Sequence, residues 1–203
     1  MRKCNDKNQP AFNINHKHPG IAPSSFNMHN SESVFQTMKI EKGSIFVDLG
    51  CGAGEYSIYA SRIIGHKGQV YAIDMSQEIL NKLSEIVIQQ KRYNIKLIKA
   101  NICLSIPLKE NSVDQCLLAT VMHAQKFTQE HSHLFSEIAR ILKPNGQLTL
   151  IECKKEEMPF GPPLHMKISA SELEEKMATY YFKKTGYMDL GYNYMMTFEK
   201  VII

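Results

Sequence analysis

From Ser31 onward the chain alternates short apolar runs with segments of helical period. Val34, Phe35 and Met38 recur at helical spacing, and Gly43 is placed to end that helix. A strand is predicted at about 44–48, a helix over about 55–64 and a second strand at about 69–73. Ser76 is suited to cap a long helix over about 76–92, with Ile79, Leu83, Ile86 and Val87 on one face. Lys96–Lys99 and Val113–Ala119 read as the third and fourth strands. Leu134, Phe135, Ile138, Ile141 and Leu142 form the stripe of a helix over about 129–142, which Pro144-Asn145-Gly146 stops before a fifth strand at Gln147–Glu152.

Strands alternating with helices imply right-handed crossovers and a parallel sheet covered on both faces. The end of the chain has a different pattern. Ser169 and Glu172 have capping-box spacing ahead of a helix with Leu173, Met177, Tyr180 and Tyr181 facing inward. Lys184–Leu190 and Tyr194–Ile202 then read as two strands joined by a turn around Gly191-Tyr192-Asn193. With no crossover between them they must pair antiparallel. The expected fold is therefore α/β, doubly wound and mostly parallel, ending in an antiparallel hairpin.

Composition narrows the class. A chain of 203 residues with 43% hydrophobic content suits one α/β domain, expected over residues 31–203. Residues 1–30 are rich in Asn, His, Pro, Ser and Gly without a period and read as an N-terminal arm. The net charge of +4 is dispersed, with no basic run or aromatic-interleaved basic stripe, so nucleic acid is not an expected partner. Neither a long uninterrupted apolar stretch nor the apolar middle of a secretory signal is present. The expectation is a soluble cytoplasmic protein without stable membrane insertion. The five cysteines form no C-x-x-C pair, which favours reduced thiols over a disulfide framework or a zinc site. His16, His18, His29 and His165 lack a second ligand pair at fixed spacing, so no metal site is expected.

The chemistry concentrates at Val47-Asp48-Leu49-Gly50-Cys51-Gly52-Ala53-Gly54, a buried strand turning through a glycine-rich loop into a helix. Three side chains are missing within five residues, so the backbone can approach a ligand closely. Asp74 ends the second strand, where a carboxylate can accept both hydroxyls of a ribose. Glycines spaced G-x-G-x-G behind an acidic Asp48 differ from the G-x-G-x-x-G loop of dinucleotide-binding proteins.

Together with Pro107-Leu108-Lys109-Glu110-Asn111-Ser112-Val113-Asp114 and Leu142-Lys143-Pro144-Asn145-Gly146-Gln147-Leu148, these motifs resemble class I S-adenosylmethionine-dependent methyltransferases. Within them the chain is similar to the ubiquinone/menaquinone-biosynthesis methyltransferase group. The resemblance covers most of residues 31–203 and implies the Rossmann-like seven-stranded sheet of that family. It implies S-adenosyl-L-methionine as cofactor, with Asp48 near its ammonium, Gly50, Cys51 and Gly52 packed against it, and Asp74 with the adjoining Met75 at the ribose. Asn101 stands where relatives place an Asp that binds the adenine amine. An Asn carbonyl oxygen can accept from that amine, and a turn-forming Asn is the competing role. Ile102 would cover adenine or serve the core, and the Ala119 and Thr120 backbone would border the methionine moiety.

On the acceptor side two groups stand out. His123 follows the fourth strand, where ligands gather in open α/β sheets, and an imidazole there can take a proton from an acceptor. Glu152 ends the fifth strand as a second candidate for substrate contact or base, against the reading of a solvated strand-end charge. The N-terminal arm and the Pro-Gly loop at 158–168 are expected to fold over the site as a lid. The function expected is methyl transfer to a small molecule by in-line displacement. A nicotinamide-dependent reductase using the same loop, or a non-catalytic cofactor-binding module, stands as the alternative.

Overall fold

In the computed structural model, residues 24–122 and 130–201 are described. Seven strands form one sheet in the order β3-β2-β1-β4-β5-β7-β6. Ile45–Leu49 (β1) lies in its interior and runs parallel to Gln69–Asp74 (β2) on one side and Val113–Ala119 (β4) on the other. Ile95–Lys99 (β3) continues outward from β2, and Leu142–Cys153 (β5) from β4, both parallel. The hairpin expected at the end is present: Asn193–Lys200 (β7) is inserted antiparallel between β5 and the edge strand Phe182–Leu190 (β6). Gly191, with φ 78°, opens the two-residue turn between them, a backbone region a side chain would oppose.

Alternation along the strands divides the core into two layers. Val47, Leu49, Cys116, Leu118 and Leu150 face the side covered by Glu130–Ile141 (α4) and Ala170–Ala178 (α5). Phe46, Leu117 and Ile151 face Ser31–Met38 (α1), Glu55–Ile64 (α2) and Gln77–Gln89 (α3). Ser76 caps α3 by accepting from the Ile79 N–H, and Leu80, Leu83 and Val87 are its buried stripe. Ser169 and Glu172 close the capping box of α5.

Three local differences from the sequence reading have physical causes. The first helix stops at Met38, five residues before Gly43, because Lys39 takes a left-handed cap at φ 52°. The Pro144-Asn145-Gly146 turn lies inside β5, not ahead of it. Val113 pairs with Leu142 and Gln115 with Gln147, so the intervening residues bulge out. Tyr181 is 58% exposed, because α5 ends at Ala178 and a left-handed φ of 63° at Tyr181 turns the chain into β6. Among the described residues no helix is long and apolar enough to cross a membrane.

Candidate functional site

The carboxyl ends of β1, β2, β3 and β4 meet around the glycine-rich loop, which is tied to the end of β2. The Gly50 and Cys51 N–H groups both donate to the Ile73 carbonyl, at 2.8 and 3.0 Å. Gly50, Gly52 and Gly54 all have positive φ, at 71°, 52° and 81°, but their surroundings differ. A Cβ on Gly50 would lie 2.6 Å from Val121 Cγ2, and one on Gly54 would lie 2.4 Å from Leu83 Cδ1. A Cβ on Gly52 would meet nothing within 4 Å. Gly50 and Gly54 are therefore glycines for packing. Gly52 faces open space beside the loop backbone, the position from which a ligand can approach.

Asp74 is half-buried and braces the same loop. Its Oδ2 accepts from the Gly52 N–H at 3.1 Å and its Oδ1 from the Ser76 N–H at 2.9 Å. An ionised carboxylate has about four acceptor positions, so each oxygen retains one for an incoming hydroxyl. The next residue, Met75, is 63% exposed, and Leu104 on the loop after β3 is 72% exposed.

Asp48 is different in kind: it is 2% exposed, and the Ser57 hydroxyl donates to its Oδ2 at 2.6 Å. Burial pushes its pKa up to about 7; the Ser57 hydrogen bond opposes that shift, and the charges of Glu55 and Asp74 add to it. Burial likewise raises the Cys51 thiol well above its usual range, so it is an inert packing group.

Beyond β3, the Ala100 N–H donates to the Asp74 carbonyl at 3.0 Å and so joins the third strand end to this cluster. Asn101 Oδ1 accepts from the Cys103 N–H at 3.0 Å, an Asx turn that leaves its second lone pair and its amide N–H₂. Ile102 is 5% exposed and packs with the core layer that includes Val47, Ile73 and Ile106. At the end of β4, Thr120 is held at φ 53°, an unusual region for a β-branched residue. Its N–H donates to the Ile151 carbonyl at 2.7 Å and its hydroxyl to the Ala119 carbonyl at 2.8 Å.

Glu152 is 3% exposed, and its Oε1 accepts from the Met122 N–H at 2.9 Å. A solvated strand-end charge is therefore the wrong description of it. His123 lies outside the described residues.

A group that sequence reasoning missed sits against this rim. Ser25–Met28 forms a short 3-10 helix capped by Ser24, so the last part of the expected arm is built into the domain. Buried Ser25 lies 3.1 Å from the Tyr56 hydroxyl, and His29 Nε2 lies 2.8 Å from the same hydroxyl. Phe26 meets the Tyr56 ring edge-on at 5.0 Å. The signals were short: Ser24 and Asn30 as caps, and Tyr56 in the first turn of α2.

Residues 40–198 match the sequence model of a family described as a methyltransferase domain. Over 137 residues the chain is 28% identical to the demethylmenaquinone methyltransferase of Listeria monocytogenes, covering 66% of this chain and 56% of that protein. A demethylmenaquinone methyltransferase from a Geobacillus strain is 26% identical over 155 residues, covering 71% of this chain and 64% of the relative. The chain thus spans little more than half the length of the curated relatives it matches. Among solved structures, a SAM dependent methyltransferase from Aquifex aeolicus superposes with a TM-score of 0.80 at 29% identity, covering 89% of this chain and 94% of that one. The [4+2]-cyclase SpnF superposes with a TM-score of 0.72 at 17% identity, a likeness of fold.

Proposed function

The chain belongs to the methyltransferase-domain family, and we propose that it transfers a methyl group from S-adenosyl-L-methionine to a small-molecule acceptor. The observation that carries this reading is Gly52, whose missing side chain leaves open space while its N–H orients the Asp74 carboxylate. The residues present fit the cofactor. Asp74 would take the two ribose hydroxyls on its free lone pairs, with exposed Met75 beside it. Asn101, through its remaining lone pair, would receive the adenine amine, with Ile102 behind it. Gly50, Cys51 and Gly52 would border the methionine chain opposite the Ala119 and Thr120 backbone, and Asp48 would face the ammonium. A cationic ammonium next to Asp48 would favour the ionised carboxylate that burial now disfavours.

The cofactor supplies the activated methyl group; the chain's own contribution is to position an acceptor and exclude water. Glu152, which accepts from the Met122 N–H, and His123 are the two side chains assigned to the acceptor. The 158–168 loop serves as the lid; residues 1–23 of the expected arm lie outside the described residues, and Ser25–Met28 is part of the domain. The activity belongs to the cytoplasm and involves neither nucleic acid nor stable membrane insertion, in keeping with the dispersed charge of the sequence. The family match favours neither a reductase nor a non-catalytic module.

Calorimetry with S-adenosylhomocysteine tests the assignment. The wild-type chain is expected to bind it and not NAD, and Asp74→Ala to abolish measurable binding. Unchanged affinity in Asp74→Ala would remove the ribose role.

A further inference from the structure

The loop that follows β5 carries a buried cation without a counter-charge. Three lysines stand at its two ends. Lys154 Nζ pairs with Asp189 at 2.7 Å, and the exposed Lys155 pairs with Glu172. Lys167 is more buried than either, at 7% exposed, yet among the described residues it has no carboxylate partner. Its Nζ donates to the Glu156 carbonyl at 2.8 Å, which ties the end of the loop back to its start. Both residues line a cavity of about 370 Å³, to which Met158, Phe160, Pro163 and Leu164 give an apolar wall. That volume is near the lower end of the roughly 300–1,000 Å³ of small-molecule sites.

An ammonium has three N–H donors, and the Glu156 carbonyl takes one of them. The other two have no acceptor among the described residues, and the cavity that Lys167 lines is the space in which one can reach them. A buried cation is costly unless an anion or further acceptors meet it. A carboxylate supplies two acceptor oxygens, which match the two remaining donors. Glu156 and Glu157 also line the cavity, and both are exposed. Solvent screens their charges, but they oppose a ligand with a second negative charge, so a monoanion is preferred to a phosphate dianion. The Lys167 charge also lies near the end of β5. Burial and Glu152 push the Cys153 thiol up to about 11, and Lys167 acts against that shift.

We propose that this cavity binds a small apolar monocarboxylate, with the carboxylate on Lys167 Nζ and the apolar body against Met158, Phe160, Pro163 and Leu164. The apolar wall supplies affinity, and the ammonium supplies selection. A neutral amide of the same shape loses the charge-assisted hydrogen bonds, and an amine meets a like charge. No cofactor contact enters, so the proposal goes beyond the methyltransferase reading and stands without it.

Titration calorimetry of the full chain at about pH 7, where a carboxylic acid is ionised, provides the test. Hydrocinnamate is expected to bind, and its neutral isostere hydrocinnamamide to bind about 10- to 100-fold more weakly, the worth of hydrogen bonds to a charged group. Lys167→Met keeps the apolar stem and removes the charge. It should reduce hydrocinnamate to the affinity of the amide and leave the amide unchanged, whereas Lys167→Arg should retain the preference. With the methionine methyl groups ¹³C-labelled, the Met158 signal, identified through Met158→Leu, should shift with hydrocinnamate in the wild-type chain. No binding of hydrocinnamate, equal binding of its amide, or a Met158 signal that does not move overturns the proposal. A lower Tm in Lys167→Met with unchanged hydrocinnamate affinity also overturns it, since the lysine would then only clasp the loop. If Lys167→Met does not fold, the carboxylate and amide affinities of the wild-type chain, read with the Met158 signal, still decide.

Discussion

At the scale of single residues, the three loop glycines separate fold from function. Alanine at Gly54 places a methyl group 2.4 Å from Leu83 Cδ1 at a φ of 81°. Overpacking and backbone strain together should cost about 2–4 kcal/mol of stability, read by denaturant unfolding. Alanine at Gly52 meets no protein atom, so only the φ of 52° opposes it, at about 1 kcal/mol. Its main effect should be a loss of S-adenosylhomocysteine affinity in calorimetry; retained affinity would show that the ligand does not approach Gly52. Asp48 adds a pH dependence. Its folded pKa of about 7 lies above the ordinary 3.8, so between those values the folded state binds more protons than the unfolded one. Stability therefore falls as pH rises from 3.8 towards 7 and is level above that. Asp48→Asn should flatten this limb in urea titrations run across the range, and an unaltered limb would mean that the carboxyl is not held protonated.

At the scale of elements, the segment between β3 and β4 shows what a sequence pattern cannot carry. Residues 100–112 have no helical or strand period, and what holds them lies on α4. The Ile106 N–H donates to Glu137 Oε2 at 2.9 Å, while Arg140 donates to the carbonyls of Ile106 and Leu108, each at 2.9 Å. Arg140 also pairs with Glu137 at 2.7 Å. The Arg140 hydrogen bond, with that of the Ile106 amide, holds the Glu137 pKa at about 2, below its ordinary 4.5. Its contribution is present above 4.5 and is lost as pH falls through about 2. Glu137→Gln should remove that acid limb and speed hydrogen exchange at the Ile106 amide; unchanged exchange would mean that the clamp does not hold the loop. Such contacts join residues about thirty positions apart by polar geometry, which leaves no periodic trace. The strands, by contrast, were legible because Val47, Leu49, Leu117 and Leu118 belong to short apolar runs, as expected of parallel strands buried on both faces.

For the whole molecule, the final antiparallel hairpin followed from one local fact, that no crossover helix separates β6 from β7. The cofactor side of the site was legible for a related reason: a glycine-rich loop and a strand-end carboxylate are short, local signatures. The cluster against the rim was not. Ser25 and His29, Tyr56 in α2 and Thr120 after β4 are far apart in sequence, and only the assembled fold brings them together. A ligand seated across β1, β2 and β4 should therefore stabilise the entire domain and not the loop alone. The two core layers share one sheet, so opening the site requires breaking the cooperative unit. At a concentration of S-adenosylhomocysteine one hundred times its dissociation constant, mass action adds about 2.7 kcal/mol. For a domain of this length that corresponds to a rise in Tm of roughly 5–10 °C in a single transition. A shift confined to one of two resolved transitions, or an equal rise with NAD, would show that the ligand does not bind across the sheet as the loop geometry requires.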